Sequence, residues 1–240
     1  MDARQPSRRN ALREAFERAD PAPVIALLEP MVSQSRRERL DQVIGARLAS
    51  VTVVMDAPHD PHNAAAVMRS CDAFGVHRLH VVERTEPFFP SGAVAKGSER
   101  WVDAIRYEQA SAAIDALRGD GFALVGTHPE GRIVPADLAS FPRVALVMGN
   151  EHDGICEELS AACTTFVRIP MRGFAESLNV SVSAAVLLAS ATGDRAGDLS
   201  DLERRRLYAR ALVLTVPRAL DILAAQGIEI LGNPGPSPGS

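Results

Sequence analysis

The chain has 240 residues, of which 46% are apolar and 23% are charged, and its formal net charge is −4. This length is enough for one large α/β domain with a buried core, or for one domain with small appendages. There is no run of about 18 or more apolar residues and the amino terminus is polar, so we expect neither a membrane span nor a secretory signal, and we expect a cytoplasmic protein. The cysteines lack C-x-x-C spacing, so we expect reduced, buried thiols and no disulfide or metal site.

The residues before Val51 are predicted to be helical, because apolar positions recur at steps of three and four between Pro and Ser residues. The predicted helices are 11–17, 23–28 and 36–48. From Val51 onwards short apolar strands alternate with helices, which predicts an α/β fold with a mainly parallel sheet and helices on both faces. The strands are predicted at 51–55, 78–82, 101–106, 122–127, 143–148 and 165–169, and the helices at 64–74, 110–117, 156–162 and 178–191.

Two further helices are predicted near the carboxyl end, at 199–210 and 213–226. A tail rich in Gly, Pro and Ser follows at 232–240, and its composition predicts disorder. The expected organisation is therefore a helical extension at 1–50, an α/β domain at 51–193, a second helical extension at 194–231, and the tail.

Polar turns follow three of the predicted strands. Residues 63–69 (NAAAVMR) follow the first strand, residues 149–154 (GNEHDG) follow the fifth, and residues 169–183 (IPMRGFAESLNVSVS) join the last strand to a helix of small residues. Ligands of open α/β sheets bind beyond the carboxyl ends of the strands, so these turns predict one composite site. The dinucleotide fingerprint G-x-G-x-x-G follows none of the strands, so a Rossmann-type cofactor site is not predicted.

These three turns resemble the motifs of the SpoU branch of the knotted SPOUT RNA methyltransferases, close to its TrmH group. The similarity runs in order from about residue 37 to about residue 226. It implies an α/β fold with a deep carboxyl-terminal trefoil knot at about 148–191, and a homodimer that pairs through the knot region. It also implies S-adenosyl-L-methionine as methyl donor, S-adenosyl-L-homocysteine as product, and no metal. The implied reaction methylates the ribose 2′-hydroxyl of a D-loop guanosine, at position 18 of tRNA.

The resemblance also implies the site residues. The catalytic set is Arg69, Asn63, Glu151, Ser177 and Asn179. The cofactor-binding set is Thr127, Gly149, Glu151, Ile169, Met171, Ser177, Leu178 and Asn179. Core packing alone also explains Ile169 and Leu178, and it is compatible with their amides binding the cofactor.

Arg69 is the residue expected to act on the substrate. A ribose 2′-hydroxyl is a poor nucleophile at neutral pH, so methyl transfer requires removal of its proton. A guanidinium stays protonated, so we expect a substrate phosphate to position Arg69, which then accepts or relays the proton. Asn63 is predicted in the turn before the helix, where it either caps the helix or orients Arg69 or the RNA. Glu151 either caps the next helix or balances the sulfonium, and Ser177 and Asn179 can cap the last core helix as well as shape the site.

The 26 basic residues are all arginine except Lys96, and many cluster towards the two ends of the chain. Such clusters are either solvated helix faces or contacts to RNA phosphates. The predicted RNA-binding residues are Arg8, Arg9, Arg13, Arg36, Arg37, His62, Arg69 and Arg172. His59, His62 and His152 lie near the polar turns but lack the spacing of metal ligands.

Two other functions are alternatives to the tRNA enzyme. Relatives that act on ribosomal RNA commonly carry a ribosomal-protein-like α/β domain before the core, whereas the residues before Val51 are helical here, which favours tRNA. A non-catalytic knotted RNA-binding protein belongs to another functional class, and the intact polar turns argue against it. The helix at 178–191 is apolar nearly all round, which fits burial within one subunit or between the core and a partner subunit.

Overall fold

The computed structural model describes residues 8–83, 97–150 and 152–230, with backbone only at 8–11. The chain divides into two compact units. The helical unit combines the residues before Arg47 with those after Asp198, and the α/β unit comprises Arg47–Asp198. A bilayer-spanning helix is not found in the described ranges.

The elements of both units follow in chain order. The helices are α1 Arg8–Arg18, α2 Pro21–Leu28, α3 Gln34–Gly45, α4 Pro61–Ala73, α5 Ala110–Gly119, α6 Glu157–Ala162, α7 Val180–Thr192, α8 Asp201–Thr215 and α9 Ala219–Ala225. The strands are β1 Val51–Asp56, β2 Arg78–Val82, β3 Asp103–Tyr107, β4 Ala123–Thr127, β5 Val144–Met148 and β6 Thr165–Val167. A short 3₁₀ helix, Pro135–Ser140, lies between β4 and β5.

The helical unit is organised around α8, which contacts α1, α2, α3 and α9. Every residue of α8 from Leu207 to Val213 is buried. The phenol of Tyr208 donates a hydrogen bond of 2.8 Å to the carboxylate of Glu29. Helical segments from opposite ends of the chain therefore pack as one unit.

The described strands of the α/β unit form one sheet in the order β3-β2-β1-β5-β4-β6, and all neighbouring strands are parallel. Along β1, Val53 and Met55 belong to one core cluster and Val54 to another, as expected of a strand buried on both faces. Residues of α4 and α7 complete the first cluster, and residues of α5 and α6 complete the second. The predicted mainly parallel α/β sheet with helices on both faces is confirmed.

The start of α4 differs from the prediction. The helix begins at Pro61 and not at residue 64, because the carboxylate of Asp60 accepts a hydrogen bond of 2.8 Å from the backbone N–H of His62 and proline fits the first helical position. Asn63 therefore lies in the first turn of α4. The prediction that Asn63 precedes the helix, with helix capping as one of its roles, is wrong.

Several other helix boundaries also differ from the prediction. Helix α3 ends at Gly45 and not at residue 48, because Leu48 forms a parallel bridge with Val76 at the edge of the sheet. Helix α8 continues to Thr215 across the predicted break, and α9 begins only at Ala219. The strand ends differ from the prediction by at most two residues. The predicted tail at 232–240 lies outside the described residues.

The segment after α7 is hydrogen-bonded to residues at the amino-terminal edge of the sheet. The guanidinium of Arg195 donates to the carbonyl of Ala191 at 2.8 Å, to the carbonyl of Pro142 at 2.9 Å and to the hydroxyl of Ser50 at 3.1 Å. The carboxylate of Asp198 accepts from the backbone N–H of Ser50 at 3.3 Å. These bonds hold the end of α7 in place, so its other end is presented at the carboxyl edge of the sheet.

His80 on β2 makes the stability of the fold depend on pH. The side chain is 4% exposed, and its Nδ1 lies 3.0 Å from the hydroxyl of Tyr107. Burial, with a smaller contribution from Arg78, lowers the pKa of His80 to about 4. An unfolded histidine has a pKa of about 6.5, so the unfolded chain binds this proton first as the pH falls. The free energy of unfolding should therefore decrease from about pH 6.5 towards pH 4.

We expect this histidine to account for a loss of about 2 kcal/mol in unfolding free energy between pH 7 and pH 4.5. His80→Gln keeps a side chain that can hydrogen-bond Tyr107 but does not titrate in this range. Chemical denaturation of both proteins at the two pH values measures the difference. The same pH dependence in wild type and variant would contradict the assignment to His80.

Candidate active site

A cavity of about 490 Å³ lies at the carboxyl ends of β4, β5 and β6. Thr127 at the end of β4, Gly149 after β5 and Ile169 after β6 form one side of it. Residues 176–180, which lead into α7, form another. The volume is in the range of small-molecule pockets, and the lining is mostly apolar with a few polar groups.

The turn after β5 is too tight for any side chain at Gly149. A Cβ atom there would lie 2.3 Å from the carbonyl carbon of Gly154 and 2.5 Å from the nitrogen of Ile155. The turn is closed by two main-chain hydrogen bonds of 3.2 Å between Asn150 and Gly154. Gly154 has a φ of +66°, which favours glycine. Glycine at both ends of this turn therefore allows it to form this wall of the cavity.

Asn179 links the third polar turn to the first. Its side-chain oxygen accepts hydrogen bonds from the backbone N–H of Ser181 at 2.8 Å and from the Ser181 hydroxyl at 2.6 Å, which caps α7. Its side-chain nitrogen donates to Oδ1 of Asn63 at 3.0 Å. The predicted capping role of Asn179 is confirmed, whereas Ser177 lies in the cavity wall and does not cap the helix.

The turn after β1 also meets the turn after β5. Asp56, which ends β1, is 1% exposed, and its carboxylate accepts a hydrogen bond of 2.7 Å from the backbone N–H of Cys156. The rings of His59 and His152 pack edge to face with their centroids 5.4 Å apart. The structure thus brings the three polar turns together at one edge of the sheet.

The cavity lining includes most of the residues predicted to bind a cofactor. These are Thr127, Gly149, Ile169, Met171, Ser177, Leu178 and Asn179. Glu151 lies outside the described residues. Ile169 also packs against the core. The predicted contacts of these residues with a cofactor stay predictions.

Arg69 and Arg172 present exposed guanidinium groups in the α/β unit. Neither makes a hydrogen bond or ion pair with another residue in the described ranges. Arg69 lies on α4, which packs against α7, and Arg172 lies in the loop that leads to the cavity wall. Their charges are available to an anionic ligand.

The other predicted RNA-binding residues have different surroundings. His62 and Arg36 are exposed, and Arg37 is half-buried. The side chain of Arg13 is 17% exposed and lies 3.4 Å from the carboxylate of Glu14. The side chains of Arg8 and Arg9 lie outside the described residues. Contacts of all these residues with RNA stay predictions.

Ten residues of the cavity lining were not among the predicted site residues, and four of these ten have polar side chains: His128, Asn150, Glu176 and Ser183. His128 belongs to the polar turn T-H-P-E-G after β4, and a polar turn at that position was a usable signal. Asn150 and Glu176 lie within the second and third polar turns, but spacing alone does not separate them from their neighbours. Within the described ranges, no group of three or more His, Cys, Asp or Glu residues is arranged to hold a metal ion.

Comparison with known proteins identifies relatives of this chain. The SpoU rRNA Methylase family matches residues 50–189. The tRNA (guanosine(18)-2′-O)-methyltransferase of Thermus thermophilus is 33% identical over 169 residues, which cover 68% of this chain and 84% of the relative. The TrmH/SpoU tRNA modifying enzyme of A. aeolicus has a similar structure, with a TM-score of 0.67 and 28% identity over 77% of this chain and 98% of the other.

A second solved structure is the SpoU methyltransferase AviRb of Streptomyces viridochromogenes in complex with the cofactor AdoMet. Its TM-score is 0.53 and its identity 29%, over 64% of this chain and 61% of the other. The family match runs from the start of β1 into α7 and includes all three polar turns. The chain therefore belongs to the SpoU rRNA Methylase family.

Proposed function

We propose that this protein transfers a methyl group from S-adenosyl-L-methionine to the ribose 2′-hydroxyl of guanosine 18 in tRNA, with S-adenosyl-L-homocysteine as product. The observation that carries the proposal is the 3.0 Å hydrogen bond from Asn179 to Asn63. It joins the wall of the cavity to the helix that bears Arg69, whose guanidinium has no partner within 8–83, 97–150 and 152–230. The activity of the Thermus thermophilus relative and the similarity to the A. aeolicus tRNA modifying enzyme support tRNA as the substrate.

The residues of the cavity fit S-adenosyl-L-methionine. The apolar part of the lining suits the adenine ring. When bound, the cofactor supplies a methyl group on a positively charged sulfur. Thr127, Gly149, Ile169, Met171, Ser177, Leu178 and Asn179 would hold it, together with Glu151.

Arg69 and Asn63 would act on the RNA. The exposed guanidinium of Arg69 suits a bidentate contact with a substrate phosphate. In that position it would relay the proton of the 2′-hydroxyl by passing one of its own N–H protons to a phosphate oxygen, or accept that proton after losing its own. Asn179 fixes the amide of Asn63, so that Asn63 can orient Arg69 or the ribose. Productive transfer needs the ribose oxygen at about 3–3.5 Å from the methyl carbon.

The proposal includes a deep trefoil knot in the carboxyl-terminal part of the α/β unit. Two facts support it. The chain belongs to the SpoU rRNA Methylase family, and its motifs resemble those of knotted enzymes. Helix α7 also packs against β5 and the 3₁₀ helix Pro135–Ser140, which lie much earlier in the chain. A crystal structure with an unthreaded backbone from 148 to 191 would contradict it.

The proposal also includes a homodimer that pairs through the knot region. Helix α7 buries Leu187 and Leu188 in the core but leaves Val182 46% exposed and Val186 37% exposed. These two valines are four residues apart and share one face of the helix. An exposed apolar face on a helix whose other face packs in the core, through Ala184, Leu187, Leu188 and Ala191, favours a partner surface over solvent.

Val186→Asp should convert the dimer into a monomer, because the carboxylate would be desolvated in the interface. Sedimentation equilibrium of wild type and variant measures the change. Leu202→Asp is the control, since Leu202 is 49% exposed on α8 and outside the proposed interface. A monomeric wild type, or a Val186→Asp variant that stays dimeric, would contradict the proposed interface.

The helical extensions at 1–50 and 194–231 are proposed to bind RNA, with the α/β domain at 51–193 as the catalytic part. Arg8, Arg9, Arg13, Arg36, Arg37, His62 and Arg172 are the proposed phosphate contacts beside Arg69. The abundance of arginine in these extensions supports the proposal, because guanidinium groups suit phosphate recognition. A cytoplasmic location is part of the proposal, and a tRNA substrate is compatible with it.

The function is tested by incubating the purified protein with labelled S-adenosyl-L-methionine and either tRNA or ribosomal RNA. We expect label on tRNA at the 2′-oxygen of guanosine 18. A tRNA with 2′-deoxyguanosine at that position is the control and should stay unlabelled. If only ribosomal RNA were labelled, ribosomal RNA and not tRNA would be the substrate. RNA binding without cofactor binding would favour the non-catalytic alternative.

A further inference from the structure

Asn150 holds the turn after β5 in one conformation. Its side-chain oxygen accepts hydrogen bonds from the backbone N–H groups of His152 at 2.9 Å and Asp153 at 2.8 Å. Its own backbone N–H and carbonyl pair with Gly154. These bonds fix which way the side-chain amide points, because the oxygen must face the two N–H donors and the nitrogen must face away from them.

The side-chain nitrogen of Asn150 has no such partner. The residue is 8% exposed, and its Nδ2 is buried without a hydrogen-bond acceptor among the described residues. Buried amide nitrogens are nearly always hydrogen-bonded, so an unpaired one requires an explanation. Asn150 is also one of the residues that line the 490 Å³ cavity. A ligand in that cavity that reaches the Asn150 side chain would supply the missing acceptor.

The hydroxyls of Ser177 and Ser183 also line the cavity and can donate, but a hydroxyl rotates and has no fixed direction. Thr127 donates its hydroxyl proton to the carbonyl of Val147 at 3.3 Å, and the amide nitrogen of Asn179 donates to Asn63. No lysine or arginine is among the described residues that line the cavity. A polar ligand must therefore be recognised by neutral donors, and Asn150 supplies one whose direction is already set.

On the basis of the proposed function, we propose that Asn150 is a cofactor-binding residue whose side-chain nitrogen donates a hydrogen bond to an acceptor atom of S-adenosyl-L-methionine. The same side chain holds the turn through its oxygen and binds the ligand through its nitrogen. Loss of the oxygen should loosen the turn, and loss of the nitrogen should weaken cofactor binding. The two effects can be measured separately.

Asn150→Asp separates the two roles. The aspartate keeps an oxygen for His152 and Asp153 but replaces the donor by a second acceptor. We expect about tenfold or greater loss of affinity for S-adenosyl-L-methionine in calorimetry. Hydrogen exchange at the backbone amides of 152–154 should stay as slow as in wild type. An affinity within twofold of wild type, with those amides still protected, would overturn the proposal.

A measurement on the wild-type protein covers the case in which the variant loses the turn. Nuclear magnetic resonance of protein labelled with ¹⁵N-asparagine follows the side-chain amide of Asn150, identified by its absence in Asn150→Asp. Addition of S-adenosyl-L-methionine should shift this resonance and slow its exchange with water. If the cofactor binds and the resonance does not change, only the role of Asn150 fails. If the wild type does not bind the cofactor, the proposed function fails as well.

Discussion

Arg69→Ala is expected to reduce the rate of methyl transfer by at least about a thousandfold while the affinity for S-adenosyl-L-methionine stays unchanged. Arg69 is exposed on α4 and is not part of the cavity lining, so its loss removes a group that acts on RNA and not on the cofactor. Single-turnover kinetics with saturating tRNA measure the rate, and calorimetry measures the cofactor affinity.

Two control variants separate chemistry from charge. Arg69→Lys keeps the positive charge but loses the planar pair of donors, so we expect a rate between those of wild type and Arg69→Ala. Arg132 is also exposed and without a hydrogen bond or ion pair to a described residue, and it does not line the cavity. Arg132→Ala should stay within about threefold of the wild-type rate, since surface arginines contribute little on their own.

Wild-type turnover in Arg69→Ala would remove Arg69 from the mechanism. A large loss of cofactor affinity in the same variant would mean that Arg69 shapes the cavity. We do not expect this, because Arg69 is exposed and does not line the cavity. Only loss of the chemical step with retained cofactor binding supports the proposed role.

The strands of the sheet were predictable because the signal for each strand lies in a few consecutive residues. Along β1 and β5 every residue is buried, and such continuous apolar runs between polar turns are typical of parallel strands covered on both faces. The carboxyl ends of parallel strands lie at one edge of a sheet, so the common location of the polar turns followed from the order of elements.

The contacts between distant segments were not predictable from pattern. Asn63 and Asn179 are 116 residues apart, and nothing in their spacing indicates a hydrogen bond between their side chains. The packing of α1, α2 and α3 around α8 is similarly non-local. The start of α4 was missed because the alanines at 64–66 dominated the helical signal, whereas Asp60 and Pro61 already begin the helix. The roles of the site residues came from the family resemblance, because spacing alone does not indicate them.

Gly149→Ala is expected to damage both the fold and the cavity. The added Cβ would lie 2.3 Å and 2.5 Å from main-chain atoms of Gly154 and Ile155, and main-chain atoms cannot move aside by rotating a side chain. The turn would have to open, which strains the paired hydrogen bonds between Asn150 and Gly154. Overpacking of this kind costs about 1–3 kcal/mol of unfolding free energy. Because the same turn lines the cavity, we expect affinity for S-adenosyl-L-methionine to fall at least about tenfold.

Gly173→Ala is the matched control. It makes the same chemical change in the loop after β6, but its Cβ would have no neighbour within 4 Å, and its φ lies outside the left-handed region. Restricting the unfolded chain at such a position stabilises a fold by about 0.4–1 kcal/mol. Calorimetric unfolding should therefore give a lower Tm for Gly149→Ala and an unchanged or higher Tm for Gly173→Ala, with wild-type cofactor affinity in the latter. If Gly149→Ala bound S-adenosyl-L-methionine as tightly as Gly173→Ala and the wild type do, the turn after β5 would not form the cofactor site.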